Sequence, residues 1–292
     1  LNGFLCINKP HGPSSFKIID QLRRTIKEKK AGHAGTLDPY ATGLLVVALG
    51  SYTRLLQFLP LEPKVYQFGI QFGSSTETDD SEGQVVNSGG IVPSPEAIIE
   101  KLHKFTGVIS QVPPIYSAIK IQGERAYKLA RNGKNVEMQP RPVTIGYMRM
   151  LKFDGETGIA HMEASCSGGT YVRSLARDIA FELGTFGYAA YVHRITIGKF
   201  KLDDALKPEC FNDAEKYIIR GEQIFSDCRI DLIESQRDAV FLGKDISVDS
   251  SLVDGKSVVM AFFADNLVAV LKQAESNMYH PEVVLSNMAG LK

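Results

Sequence analysis

The chain has little of what stabilises a small secreted protein or a membrane-bound one. Its four cysteines, Cys6, Cys166, Cys210 and Cys228, are scattered, and no C-x-x-C pair occurs. This argues against a disulfide framework and a structural zinc, and makes a reducing cytoplasm the expected compartment. No run approaches the roughly 18 apolar residues of a membrane span, and no charged-then-apolar leader points to secretion. Nucleotide-binding signatures are missing too: Gly32, Gly35 and Gly43 are not followed by Gly-Lys-Ser/Thr, and there is no G-x-G-x-x-G. No G-x-S-x-G elbow supports a serine nucleophile. His33 precedes Asp38 without the partners or spacing of a metal pair. No cofactor and no metal are expected.

Net charge is also absent, with 33 Lys+Arg against 33 Asp+Glu, but its distribution is uneven. Residues 1–202 carry 24 basic and 17 acidic side chains, whereas residues 203–292 carry 9 and 16. The basic groups gather in residues 1–35, around Lys9, Lys17, Arg23, Arg24, Lys27, Lys29 and Lys30, and again in residues 116–152. Either stretch alone reads as a solvated face. Two on one domain favour a polyanionic partner, because local patches set phosphate affinity.

The chain is long enough for one large domain and a small one. Ser14 or Ser15 can cap a helix through about Lys30, with Ile18, Ile19, Leu22 and Ile26 on one face. Tyr66, Phe68, Ile70 and Phe72 alternate as one face of a strand. Ser94-Pro95 opens a second helix, and Val143–Phe153 pairs plausibly with Ile159–Cys166. Thr170 is placed to cap a helix whose stripe is Val172, Leu175, Ala176, Ile179 and Leu183. Val192–Phe200 returns as a strand, and Ala264-Asp265-Asn266 reads as a hairpin turn. The mixing lacks regular βαβ alternation and predicts an α+β fold, with a boundary near residues 225–235.

The chemistry concentrates in G-H-A-G-T-L-D-P-Y-A-T-G, residues 32–43. Asp38 sits on a Gly- and Pro-marked turn just before the apolar run Leu44–Leu49. Alone it reads as a helix-capping or turn residue. Arg173 alters that balance. It stands in the first turn of a helix, where the macrodipole disfavours a cation, so a buried carboxylate partner is a natural explanation. A surface arginine reaching into water is the alternative. Tyr66 is either a core aromatic or a platform on which a base stacks.

Seven segments in order resemble the TruB-type tRNA pseudouridine synthases. They are Asn8-Lys9-Pro10 with Gly12 and Ser14-Ser15; the Asp38 motif; Lys64-Val65-Tyr66; T-E-T-D-D-S-E-G; P-P-I-Y-S-A-I-K with Ala126-Tyr127 and Ala130-Arg131; C-S-G-G-T-Y-V-R-S-L; and Val192-His193-Arg194 with Gly198 and Phe200. The resemblance implies an α+β pseudouridine synthase fold: a central mixed, mainly antiparallel sheet flanked by helices. It further implies a catalytic domain of residues 1–228, a thumb at 113–142 closing over RNA, and a small β-rich PUA-like RNA-binding domain at 229–292. The implied reaction isomerises uridine 55 in the T-loop of tRNA after flipping it out. Asp38, Tyr66 and Arg173 are the implied catalytic residues, and Lys9, His33, Tyr171, Val192 and Arg194 the implied substrate contacts. The implied partner is the T-arm stem-loop of tRNA, with no membrane, no protein partner and a monomeric enzyme. A fragment ending near residue 228 is expected to act on an isolated T-arm, since both basic stretches lie within it. His193 departs from the family's usual arginine. Two rivals are a guide-RNA-dependent relative acting on ribosomal RNA and a tRNA-binding chaperone without catalysis.

Overall fold

The computed structural model describes residues 1–285 except 118, 122, 133–136 and 254. The chain opens with β1 (Gly3–Lys9), α1 (Ser15–Ile26), β2 (Ala31–Ala34) and β3 (Thr42–Leu49). Ser14 is the cap of α1, its Oγ accepting from Lys17 N. The helix stops at Ile26, short of Lys30, because Lys27 turns left-handed (φ 54°) and returns its N–H to Arg23 O.

There follow β4 (Lys64–Phe72), β5 (Ser74–Thr76), β6 (Val85–Ser88), α2 (Pro95–Lys101) and β7 (Gly107–Gln111). The 113–142 segment contains β8 (Lys120–Ile121), β9 (Glu124–Arg125) and α3 (Ala126–Arg131), and part of it lies outside the described residues. Next come β10 (Arg141–Asp154), β11 (Ile159–Cys166), α4 (Val172–Glu182), β12 (Gly187–Ile197) and β13 (Phe200–Lys201). Thr170 does not cap α4. Its Oγ1 donates to Ser167 O within the preceding turn, and Tyr171 takes the cap position without a side-chain bond. Buried Gln111 instead latches the helix start, accepting from Tyr171 N and donating to Tyr171 O.

Nine strands form one sheet in the order β1-β3-β12-β4-β11-β10-β7, with β2 added on β3 and β13 on β12. The β3–β12 pairing is parallel and the others are antiparallel. This is the mixed, mainly antiparallel α+β architecture expected. Strands β1 and β3 are buried on both faces, which explains the unbroken apolar run at 44–49: Leu45, Val47 and Leu49 meet α1, while Leu44, Val46 and Ala48 face the opposite core. On β4 and β11, Phe68, Ile70, Ala160 and Met162 pack under Leu175, Ala176 and Ile179 of α4.

After α5 (Gly221–Ile224), a second sheet is built from β14 (Arg229–Asp231), β15 (Ile246–Ser247), β16 (Val258–Phe263), β17 (Asn266–Glu275) and β18 (Met278–Val284), with α6 (Glu234–Phe241) and α7 (Ser250–Val253) inserted. Ala264 and Asp265 both adopt positive φ at the β16–β17 turn, as a tight hairpin turn requires. The two sheets share a core: Met260, Phe262, Leu267 and Val270 pack with Phe4, Tyr52, Leu55 and Leu59. Among the described residues no helix is long and apolar enough to cross a membrane.

Candidate active site

Asp38 lies on the loop between β2 and β3, and that loop is clamped from its own backbone. Lys9, at the end of β1, is fully buried and donates its ammonium to Pro39 O (2.9 Å), Ala41 O (2.6 Å) and Pro10 O (3.0 Å). Ser15 Oγ donates to Leu37 O and accepts from Leu37 N, both at 2.9 Å. Gly12 N donates to Pro39 O, and Ala41 N closes the turn on Asp38 O. The Asn8-Lys9-Pro10 and Ser14-Ser15 motifs therefore anchor the aspartate loop. Burial lowers the Lys9 pKa to about 8, against the opposing pull of Asp38.

Strand register does the rest. Arg194 on β12 sits opposite Gly43 on β3 and opposite Tyr66 on β4, so three distant segments share one row. A side chain at Gly43 would put its Cβ 2.3 Å from Arg194 O, so only glycine permits this crossing. Arg194 is buried and donates to Leu44 O (2.8 Å), Gly35 O (2.7 Å) and Tyr66 Oη (3.4 Å). From the other side, α4 brings Arg173 to the aspartate. Arg173 Nη2 lies 2.9 Å from Asp38 Oδ2, and Nη1 lies 3.1 Å from Asp80 Oδ2. Its remaining hydrogen bonds go to Thr78 O and Tyr116 O, both at 3.0 Å. The guanidinium thus bridges two acids. A planar two-bonded contact with Asp38 is not formed, because the second edge of the guanidinium is taken by Asp80.

These groups line a cavity of about 640 Å³, which Tyr116, Tyr171 and Val192 also border; its size is ordinary for a small-ligand site. The Asp38 side chain remains 43% exposed toward it, while Arg173 is only 6% exposed behind. A carboxylate held from the rear and open at the front can act on a bound molecule. Burial raises the Asp38 pKa, and Arg173 opposes that rise. Burial also works against the charge on Arg173, but Asp38, Tyr40 and Asp80 outweigh it and raise its pKa. The Tyr66 hydroxyl is pushed up by burial and pulled back by Arg194. Among the described residues no group of three or more His, Cys, Asp or Glu side chains is arranged to hold a metal ion.

Residues 23–172 match the family described as TruB family pseudouridylate synthase (N terminal domain). The chain belongs to the TruB family. Similar proteins include a tRNA pseudouridine synthase B from Rickettsia bellii (strain OSU 85-389), 39% identical over 221 residues that cover 76% of this chain and 75% of that protein. Another, from Wolbachia pipientis subsp. Culex pipiens (strain wPip), is 42% identical over 209 residues, 72% of this chain. The chain spans only 59% of the Wolbachia protein's length. Among solved structures, a chain of a Cbf5-Nop10-Gar1 complex aligns with a TM-score of 0.73 at 23% identity, covering 97% of this chain and 84% of that one. A chain of an H/ACA RNP bound to a substrate RNA containing 2'-deoxyuridine gives 0.69 at 20% identity, covering 98% and 85%. Likeness at such identities is one of fold.

The structure gathers Asp38, Tyr66, Arg173, Tyr171, Val192 and Arg194 of the TruB motifs around the cavity. Two expected substrate contacts lie elsewhere. Lys9 is enclosed, donates to three carbonyls and holds the aspartate loop, so it does not border the cavity as the expected substrate contact would. His33, on β2, does not border the cavity; it is partly buried, and burial and Arg194 lower its pKa. His193 points to the opposite face from Arg194, as alternation on a strand demands, with Nδ1 2.7 Å from Thr42 Oγ1. Replacing the family's arginine there removes no cation from the cavity. Asp80 is the functional neighbour that the sequence reading missed. Its segment reads as an acidic turn, yet Asp80 is buried and accepts from Thr78 Oγ1, Glu82 N and Arg173.

Proposed function

We propose that this protein isomerises uridine to pseudouridine in tRNA, at uridine 55 of the T-loop. The observation that carries the proposal is the carboxylate of Asp38, fixed from behind by Arg173 and open to a cavity bordered by Tyr66. The names of the TruB relatives support tRNA as the substrate. The reaction breaks N1–C1′, turns the uracil, and joins C5 to C1′; the C5 proton leaves and N1 gains one, so the formula is unchanged. A base stacked in a folded loop must be flipped out to enter such a cavity.

Tyr66 gives the extracted base an aromatic face, worth about 1–3 kcal/mol of stacking. Its hydroxyl, beside the Arg194 guanidinium, is the candidate acceptor for the C5 proton. Asp38 acts at C1′, on the uracil ring, or as a base, and all three roles need it ionised and oriented. Arg173 supplies both conditions. Tyr171 forms a cavity wall, with the Arg141 guanidinium 4.9 Å from its ring centroid. The proposal includes a catalytic domain of residues 1–228, the 113–142 thumb, and a PUA-like RNA-binding domain at 229–292. The start of the second sheet at Arg229 supports that division.

The test is carbodiimide-dependent primer extension on an unmodified tRNA transcript, with purified protein and no guide RNA. A stop at uridine 55 is expected with the wild-type protein. Asp38→Asn should abolish the stop and keep tRNA binding within about tenfold, or about 1.4 kcal/mol. No stop with the wild type would reject the reading. Conversion only with an added guide RNA would favour the guide-dependent rival, and an active Asp38→Asn would remove Asp38 from the chemistry.

A further inference from the structure

Lys64 opens β4 and lines the cavity on the same face as Tyr66, yet the chemistry above gives it no task. The other two lining cations are engaged: Arg173 by two carboxylates and two carbonyls, and Arg194 by two carbonyls and a phenol. Among the described residues, the Lys64 ammonium makes no hydrogen bond and no ion pair, although the charge of Glu62 acts on it. Neighbouring Glu62 spends its Oε1 on Gly168 N at 2.7 Å.

Two glycines flank the free ammonium. The position of a Cβ on Gly35 lies 3.7 Å from Lys64 Nζ and 3.3 Å from Arg194 Nη1, and that on Gly168 lies 3.8 Å from Lys64 Nζ. Gly35 leads into the Asp38 loop and Gly168 into the Tyr171–Arg173 turn, so Nζ lies in a crease between the two catalytic loops, free of side chains from either glycine. Arg141 stands on the same crease, its Nη2 donating to Gly169 O at 2.7 Å. The cavity is polarised as a result. Asp38 and Asp80 gather around Arg173 at one end, while Lys64 and Arg194 hold the other, where Glu62 acts on Lys64 through its charge without pairing with it.

We propose that Lys64 binds a backbone phosphate of the RNA beside the extracted nucleotide, seating the strand in the crease between Gly35 and Gly168. This rests on the RNA substrate proposed above. A phosphate is preferred over a base carbonyl because only an anion relieves the repulsion between two neighbouring cations. Burial and Arg194 lower the Lys64 pKa, and a bound anion acts in the opposite sense.

The test measures T-arm stem-loop binding across a salt series in the Asp38→Asn background, with Lys64 intact and as Lys64→Met and Lys64→Arg. A phosphate contact adds about 0.7 to the slope of log K against log[salt] on a single strand. Lys64→Met should lower the slope by about that amount and weaken binding roughly tenfold at low salt, while Lys64→Arg retains the slope. With Asp38 restored, Lys64→Met should raise KM and leave kcat at saturating RNA close to normal. An unchanged slope, or a fall in kcat at constant KM, would overturn the phosphate assignment and place Lys64 on the base or in the scaffold. If Lys64→Met fails to fold, Lys64→Gln carries the same expectations. Failure of the parent protein to bind or convert tRNA would instead overturn the functional reading itself.

Discussion

Replacing Arg173 by lysine keeps the charge and should nevertheless cripple the proposed isomerisation. The guanidinium serves four acceptors at once: Asp38 at 2.9 Å, Asp80 at 3.1 Å, and Thr78 O and Tyr116 O at 3.0 Å. An ammonium has three donors at one point and cannot span that arrangement. Burial decides which partner it keeps. Asp80 is 5% exposed and Asp38 43% exposed, so leaving Asp80 unpaired costs more, and the lysine should stay with Asp80. Asp38 is then released. Hydrogen bonds to charged groups are worth about 1.5–3 kcal/mol each, so losing two should cost about 3–6 kcal/mol before water repairs part of it. A catalytic group displaced by about 1 Å can lose about a hundredfold. We expect Arg173→Lys to lose between about tenfold and a hundredfold in kcat, with a smaller change in KM and a lowered melting temperature. Release of tritium from C5-labelled tRNA would measure turnover, and circular dichroism the melting. Normal kcat in a folded Arg173→Lys protein would refute the bridging argument and reduce Arg173 to a diffuse charge.

The Asp38 pKa is raised above its ordinary 3.8, so the acid limb of kcat/KM should lie above that value, activity falling as pH drops through the folded pKa. The folded state then holds this proton more tightly than the unfolded one, so the Asp38 contribution to stability diminishes as pH rises through that window. Arg173→Gln removes the opposing cation and should move the limb of the residual activity higher still; a limb that stays in place would contradict this. Tyr66→Phe should bind tRNA normally and lose at least about a hundredfold in turnover, since general-base help is worth roughly 10²–10⁴-fold and the ring is retained. Full activity of that variant would leave Tyr66 as a stacking surface only. Truncation after residue 228 strips the cover from Phe4, Tyr52, Leu55 and Leu59, at about 1.5–3 kcal/mol for each large side chain exposed. We therefore expect a lowered melting temperature and aggregation, contrary to the independence inferred from charge; a soluble fragment with unchanged melting would show the shared core to be dispensable.

Local sequence determined much of this protein. Alternating apolar residues placed β4, Ser14 or Ser15 and Ser94 marked two helix starts, and the glycine-rich turn before an apolar run singled out Asp38. Each of these signals acts within a few residues, where dihedral preferences and side-chain periodicity are strong. The motif order gave the family and the fold. Partnership across the chain was another matter. Arg194, Gly43 and Tyr66 meet because β3, β12 and β4 pair in one register, and pairing is a property of the sheet rather than of any strand. Lys9 looked like a ligand-binding cation, but the path of the 37–41 loop surrounds its ammonium with carbonyls. Nothing near Asp80 in the sequence announces its partner; α4 carries Arg173 over its turn and buries both. A charged side chain is costly to bury without a partner. Whether such a residue anchors a loop, tunes a neighbour or meets a ligand was therefore decided only when the tertiary fold fixed what surrounds it.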